Sequence, residues 1–317
     1  MAKPLIVLTG PTAVGKTGLS IRLAKALNGE IISADSMQVY RHMDIGSAKI
    51  TKEEMAGIPH HLIDVLEPAK EFNVVLFQKM AKEALEGIYD RGRVPIVAGG
   101  TGFYIQALAY DIDFTETDEE PSLRRELEQT AKEKGAQYLH QMLREADPVS
   151  AERIHANNIK RVIRAIEFYR QTGTKISEHN QKERRKQSPY DLFYYVLNME
   201  RQSLYERIDR RVDQMIRDGL IEEVRKLAAM GCTRDMVSMQ GLGYKEILDY
   251  LDGRSSLEEA VCLIKRDTRH FAKRQITWFK RERDVRWLNL WEFGDDREKV
   301  LRHILSEINL YSSISPC

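Results

Sequence analysis

The chain has 317 residues, 42% apolar and 31% charged, with a formal net charge of +1. That supports a real core and two domains, or one domain carrying an insertion, and it excludes a chain-wide polybasic nucleic-acid binder. Three cysteines, Cys232, Cys262 and Cys317, form no C-x-x-C pair, so neither a disulfide framework nor a structural zinc site is expected. No stretch approaches the ~18 apolar residues of a membrane span, and no signal-peptide pattern opens the chain; the expectation is a cytoplasmic protein with reduced thiols.

The apolar run Leu5-Ile6-Val7-Leu8 predicts a first strand, and a helical pattern starts near Leu19. Between them stands Gly10-Pro11-Thr12-Ala13-Val14-Gly15-Lys16-Thr17, the spacing G-x-x-x-x-G-K-[ST] of a P-loop in the context a P-loop needs. The glycines let successive amides turn inward, and the following helix adds the positive end of its dipole. Lys16 brings a charge to phosphate oxygens, and the Thr17 hydroxyl is placed to ligate Mg2+. A phosphate or diphosphate site follows.

Ile31-Ile32-Ser33 predicts a second strand ending at Asp35. Ligands of open α/β sheets bind beyond the carboxyl ends of strands, which puts Asp35 near the loop. The segment Asp35-Ser36-Met37-Gln38 reads either as a helix cap or as a carboxylate that holds magnesium or accepts a proton. His60 and His61 are adjacent and point different ways, so structural use is favoured over a metal pair. A helix from Val74 to Ile88 and a third strand, Val94 to Ala98, lead into Gly99-Gly100-Thr101-Gly102, where close backbone approach and the Thr101 hydroxyl suit a ligand. Neither the Leu5 nor the Ile96 strand ends in the aspartate that usually holds magnesium in a hydrolytic P-loop ATPase. A motor is disfavoured.

From Asp111 the composition shifts. The acidic positions Asp111, Asp113, Glu116, Asp118, Glu119 and Glu120 precede Pro121, which opens a helix to Lys134; further helices surround Tyr138-Leu139 and span Asn158 to Gln171. The fold expected is α/β, a P-loop kinase-like parallel sheet with an inserted all-helical domain: 1–112 the first part of the core, 113–190 the insertion, 191–317 the second part. Strand character resumes at Phe193 to Leu197. Helices follow at Ser203–Asp218, Ile221–Met230, Tyr244–Leu251 and Leu257–Arg281. Val285 to Leu288 reads as a last strand, Glu298 to Asn309 as a closing helix, and the tail from Tyr311 as frayed.

Two segments are basic. One holds Lys160, Arg161, Arg164, Arg170, Lys175, Lys182, Arg184, Arg185 and Lys186; the other, Lys265 to Arg281, interleaves its cations with Phe271, Trp278 and Phe279. Solvated helix faces would explain them, but their segregation on a neutral chain favours a cradle for nucleic acid.

Several blocks together resemble a known family. The P-loop, Asp35-Ser36-Met37-Gln38-Val39-Tyr40, Met43 to Lys49, Pro59 to Asp64, Gly99 to Tyr104 and Ala272-Lys273-Arg274-Gln275-Ile276-Thr277-Trp278 are similar to the bacterial tRNA dimethylallyltransferases, the IPP transferase family, in order and over nearly the full length. The resemblance implies transfer of a dimethylallyl group from its diphosphate to the exocyclic amine of the adenine 3′ of a tRNA anticodon, with Mg2+. Gly10 to Thr17 would bind diphosphate, Thr17 the metal. Asp35, Thr101 and Arg211 would act at the reacting groups. Asp35, Ser36, Met37, Gln38, Thr101, Arg124, Lys160, Arg161 and Arg164 would meet the tRNA anticodon stem-loop, as would Gln240 to Ile247. A monomer without membrane association is expected. Two other readings remain open from the residues: a small-molecule P-loop kinase, and a non-catalytic nucleic-acid-binding module that senses a nucleotide.

Overall fold

The computed structural model describes residues 2–114 and 121–314. Glu116, Asp118, Glu119, Glu120 and residues 315–317, including Cys317, lie outside the described residues. The chain divides into two compact units, Met1–Ala109 with Ser188–Cys317, and Tyr110–Gln187.

The larger unit is built on a six-stranded, all-parallel sheet, in keeping with the α/β expectation. Its strands are β1 (Pro4–Thr9), β2 (Gly29–Ala34), β3 (His60–His61), β4 (Val94–Gly99), β5 (Asp191–Asn198) and β6 (Val285–Asn289), in the order β3-β2-β4-β1-β5-β6. Central parallel strands are buried on both faces, which is why Leu5-Ile6-Val7-Leu8 is continuously apolar rather than alternating. Side chains still alternate by face. Leu5 and Val7 join one core cluster with Tyr194 and Val196, while Ile6 and Leu8 join the other with Phe193, Tyr195 and Leu197.

The register decides where the site forms. Thr9 pairs with Gly99 and Gly99 with Ala34, so β1, β2 and β4 end level. Gly10, Asp35 and Gly100 therefore leave the sheet side by side, although far apart in sequence. Gly10 has φ 141, and a Cβ there would stand 2.2 Å from the Leu197 carbonyl oxygen; no other residue fits.

Helices cover both faces. In chain order the first four are α1 (Lys16–Leu27), α2 (Lys52–Met55), α3 (Val74–Asp90) and α4 (Gly102–Ala109). The helical unit contains α5 (Pro121–Ala146), α6 (Pro148–Arg153), α7 (Ile159–Thr172) and α8 (Ile176–Glu183). Then come α9 (Arg201–Arg217), α10 (Leu220–Ala229), α11 (Tyr244–Leu251), α12 (Leu257–Phe279) and α13 (Arg297–Ile314). Gly135, at φ 84, breaks the helical path within α5, which accounts for two predicted helices at one element. The frayed tail is corrected in part: the α13 backbone stays helical to Ile314.

The helical unit has its own small core of Leu127, Leu139, Leu143, Val162 and Ile166. Its polar hub is Asp147, fully buried, which accepts hydrogen bonds from the backbone N–H and hydroxyl of both Ser150 and Ser177. Burial alone would raise the carboxyl pKa; those four donors hold it below its ordinary value.

Candidate active site

A cavity of about 340 Å³ opens at the carboxyl ends of β1, β2 and β4. The loop residues Thr12, Ala13, Gly15, Lys16 and Thr17 line it, together with Asp35, Gln38, Arg207, Arg211 and Gln275. Its remaining wall mixes the apolar Ile31, Ala48, Ile50, Ile63, Ala98 and Phe271 with the polar Ser20, Ser33, Ser47 and His60. One space thus brings cationic, polar and apolar side chains together.

Lys16 opens α1 and folds back over its own loop, where its Nζ donates to the Gly10 and Pro11 carbonyls at 3.0 and 2.9 Å. Burial pushes its pKa down to about 8, against the opposing pull of Asp35 and with help from the neighbouring Arg211 charge. Arg211 of α9 is lowered by burial as well, again opposed by Asp35. Two desolvated cations facing one carboxylate make a site that gains from an arriving polyanion.

Asp35 forms the cap and also reaches the cavity. Its Oδ1 accepts from the backbone N–H groups of Met37 and Gln38, at 2.8 and 3.4 Å, a local cap. The residue also lines the cavity, and Oδ2 makes none of the capping bonds. Gln38 donates to the Ala48 carbonyl at 3.2 Å and so ties this turn to the apolar wall.

The segment that carries Ser47 and Ala48 is held from behind. Glu223 of α10 accepts from the backbone N–H groups of Asp44, Ile45 and Gly46, at 2.8, 2.7 and 3.0 Å, and from the Tyr244 hydroxyl at 2.8 Å. Buried Lys49 donates to the Tyr40 carbonyl, Asp44 and Asp64. Sequence reading missed Glu223 because its backbone partners carry no side-chain signature.

Gln275 of α12, to which the sequence assigns no role, joins two of the loops. Its Oε1 accepts from the Thr12 N–H at 2.8 Å, and its Nε2 donates to the Gly100 carbonyl at 2.9 Å. A glutamine on the same helical face as buried Ala272 and Phe279 was the available signal.

Other expected residues sit differently. Thr101 is not among the residues lining the cavity; its N–H donates to Ala34 at 3.1 Å, and its carbonyl starts α4. His61 is structural, bonded to Glu30 at 2.6 Å, whereas His60 lines the cavity. In α12, Lys265 and Arg269 pair with Asp213 and Asp209 of α9, Phe279 is fully buried and Phe271 lines the cavity. That leaves Lys273, Arg274, Lys280, Arg281 and Trp278, with Arg266 paired to Asp267, as the exposed part of the basic face. In the helical unit, Arg124 forms a bidentate pair with Glu167 at 3.0 and 2.8 Å, Lys160 and Arg161 are exposed, and Arg164 is half-buried.

Mg2+ is bound by hard oxygen donors, often one or two from protein with the rest from substrate and water. The Thr17 hydroxyl and the Asp35 carboxylate line the same cavity and suit it. No group of three or more His, Cys, Asp or Glu that could cage a metal occurs among the described residues.

The family model for IPP transferase matches residues 38–282. The chain belongs to the IPP transferase family. It is 62% identical over 294 residues to the tRNA dimethylallyltransferase of Lachnoclostridium phytofermentans, covering 93% of this chain and 94% of that one. Among solved structures it resembles the tRNA isopentenylpyrophosphate transferase of Bacillus halodurans, at 45% identity and TM-score 0.74, with 98% of this chain and 99% of that one covered. It also resembles a eukaryotic dimethylallyltransferase acting on tRNA, at 30% identity and TM-score 0.86, with 99% and 81% covered. Family membership extends through both units, since the matched span includes all of Tyr110–Gln187. Among the described residues no helix is long and apolar enough to cross a membrane.

Proposed function

We propose how this member of the IPP transferase family works as a tRNA dimethylallyltransferase: the dimethylallyl group leaves its diphosphate and joins the exocyclic amine of the adenine 3′ of the anticodon. The observation that carries this reading is one cavity lined both by Lys16, Arg207 and Arg211 and by Ile31, Ile50, Ile63 and Phe271. A prenyl diphosphate has that same division.

The bond that breaks joins the allylic carbon to the diphosphate oxygen; the bond that forms joins that carbon to the adenine nitrogen. As the first lengthens, charge gathers on the diphosphate. Lys16, Arg211 and the amides of residues 12–17 stabilise that charge more than the ground state, which is what accelerates the step. Thr17 would hold Mg2+, which would supply further charge neutralisation when bound.

The adenine amine is a weak nucleophile because its lone pair is delocalised. It becomes acidic only as it bonds to carbon, so Asp35 orients it early and takes its proton late. The adenine is splayed out of the anticodon loop to reach the cavity. Exposed Lys160 and Arg161 of the helical unit supply phosphate contacts to the stem-loop. Ser36, Met37, Gln38 and Thr101 flank the acceptor side in this reading, and half-exposed Arg124, paired with Glu167, is a further tRNA contact.

The test is incubation with Mg2+, radiolabelled dimethylallyl diphosphate and unmodified tRNA, beside tubes containing ATP and no prenyl donor. Label confined to one adenosine after nuclease digestion is the expected result. ATP consumption with a small acceptor and no labelled tRNA would overturn it in favour of the kinase.

A further inference from the structure

Arg297, the first residue of α13, reaches the P-loop from the far end of the chain. Its Nη2 donates to the Val14 carbonyl at 2.6 Å across 283 residues. A Cβ placed on Gly15 would lie 3.0, 3.2 and 3.3 Å from Nη2, Cζ and Nη1 of this side chain. Three such similar distances mean that the flat face of the guanidinium lies against Gly15. The second loop glycine is required by its φ of 97, and a side chain there would also press on the guanidinium.

A trans peptide unit points its carbonyl and its N–H in opposite directions. Fixing the Val14 carbonyl toward Arg297 therefore turns the Gly15 N–H the other way, and Gly15 is one of the residues lining the cavity. Nη1 of Arg297 is buried and has no hydrogen-bond partner among the described residues. Burial disfavours the Arg297 charge, and the nearby charge of Arg207, which lines the cavity, disfavours it further. A cation kept in such surroundings is stabilised once an anion reaches the loop.

We infer that Arg297 is a positioning residue for the diphosphate: it sets the Val14–Gly15 peptide plane so that the Gly15 N–H faces the anion, and it adds positive charge behind the loop. The inference rests on the reading of the loop as the prenyl diphosphate site. It assigns to the closing helix a part in substrate binding that the loop motif does not contain.

The experiment titrates inorganic pyrophosphate with Mg2+ into wild type, Arg297→Met, Arg297→Gln and Arg297→Lys, alongside the KM for dimethylallyl diphosphate, the Kd for tRNA and the melting temperature. Arg297→Met should weaken pyrophosphate binding and raise the donor KM about tenfold, with tRNA affinity within twofold of wild type. Arg297→Gln and Arg297→Lys keep a donor for Val14 and should each recover at least threefold of that loss. A folded Arg297→Met protein that binds pyrophosphate within twofold of wild type overturns the inference, as does failure of both donor-bearing variants to recover affinity. If Arg297→Met does not fold, Arg297→Lys decides alone, and a loss above tenfold in it overturns the inference. Wild type that binds no pyrophosphate overturns the loop assignment itself, a result separable from the others.

Discussion

The side-chain amide of Gln275 accepts a hydrogen bond from the Thr12 backbone N–H at 2.8 Å, across 263 residues of chain. Its other end donates to Gly100 at 2.9 Å, so one buried side chain sets the spacing between the P-loop and the loop after β4. Gln275→Ala leaves a part-buried N–H and a buried carbonyl without this partner. The donor KM should rise about 5–10-fold, equivalent to roughly 1–1.5 kcal/mol. Gln275→Glu keeps the acceptor for Thr12 but adds a negative charge near the diphosphate and should be worse than alanine. Steady-state kinetics with the donor varied at saturating tRNA decide; a glutamate variant better than the alanine variant contradicts the electrostatic part.

Asp35 caps its turn and, in the proposed reaction, also accepts a proton, and the two roles separate chemically. Asp35→Asn retains an oxygen that can accept from the Met37 N–H but cannot take a proton. The rate of transfer should fall by ~10²–10⁴-fold, with tRNA affinity changed less than tenfold. Single-turnover kinetics and a filter-binding Kd measure both. Near-full turnover in the asparagine variant would remove the proton-accepting role.

The pKa of Lys16, about 8 because of burial, predicts a pH profile. In the free enzyme the ammonium is present below that value and is lost as pH rises through it. The kcat/KM for the prenyl donor should therefore be level up to about pH 7, fall to about half near pH 8 and decline further above. Arg stays protonated throughout, so Lys16→Arg should abolish that decline even where its absolute rate is low. An unchanged inflection in the arginine variant would assign it to another group.

Glu30 sits at the other end of the sheet and carries a stability prediction. Hydrogen bonds from Arg91, joined by His61 and acting against the burial that would raise it, pull its pKa from 4.5 to about 2. Because the folded-state value is depressed, its stabilisation is complete above about pH 4.5 and is lost as pH falls toward 2. Glu30→Gln should cost about 3 kcal/mol at neutral pH and should lose less stability than wild type between pH 5 and 3. Urea melts across that range provide the comparison.

Lys160 and Arg161 are the exposed cations at the start of α7. Replacing both by alanine should weaken tRNA binding and flatten its dependence on log salt by roughly 0.7 for each phosphate that is no longer neutralised. An unchanged slope would place those side chains away from phosphate.

The P-loop was legible because it is local: strand, glycines, lysine and helix follow one another, and each is required by the geometry of a phosphate cradle. The sheet class was legible for a similar reason, since apolar runs of strand length separated by helical periodicity admit few arrangements. Arg207 and Arg211 share a helix face by simple 3.6-residue spacing, so that pair was readable too.

What only the tertiary structure decided is everything that depends on register and on long-range closure. The level ends of β1, β2 and β4 bring Gly10, Asp35 and Gly100 together, and no local pattern encodes which strands neighbour one another. Gln275, Glu223 and Arg297 all act on backbone groups of distant loops, and a backbone amide or carbonyl looks the same in every sequence. The basic segments show the converse limit: Lys265 and Arg269 read as nucleic-acid contacts until α9 supplied Asp213 and Asp209 to face them. A sequence states which charges exist; the fold decides which of them are already neutralised.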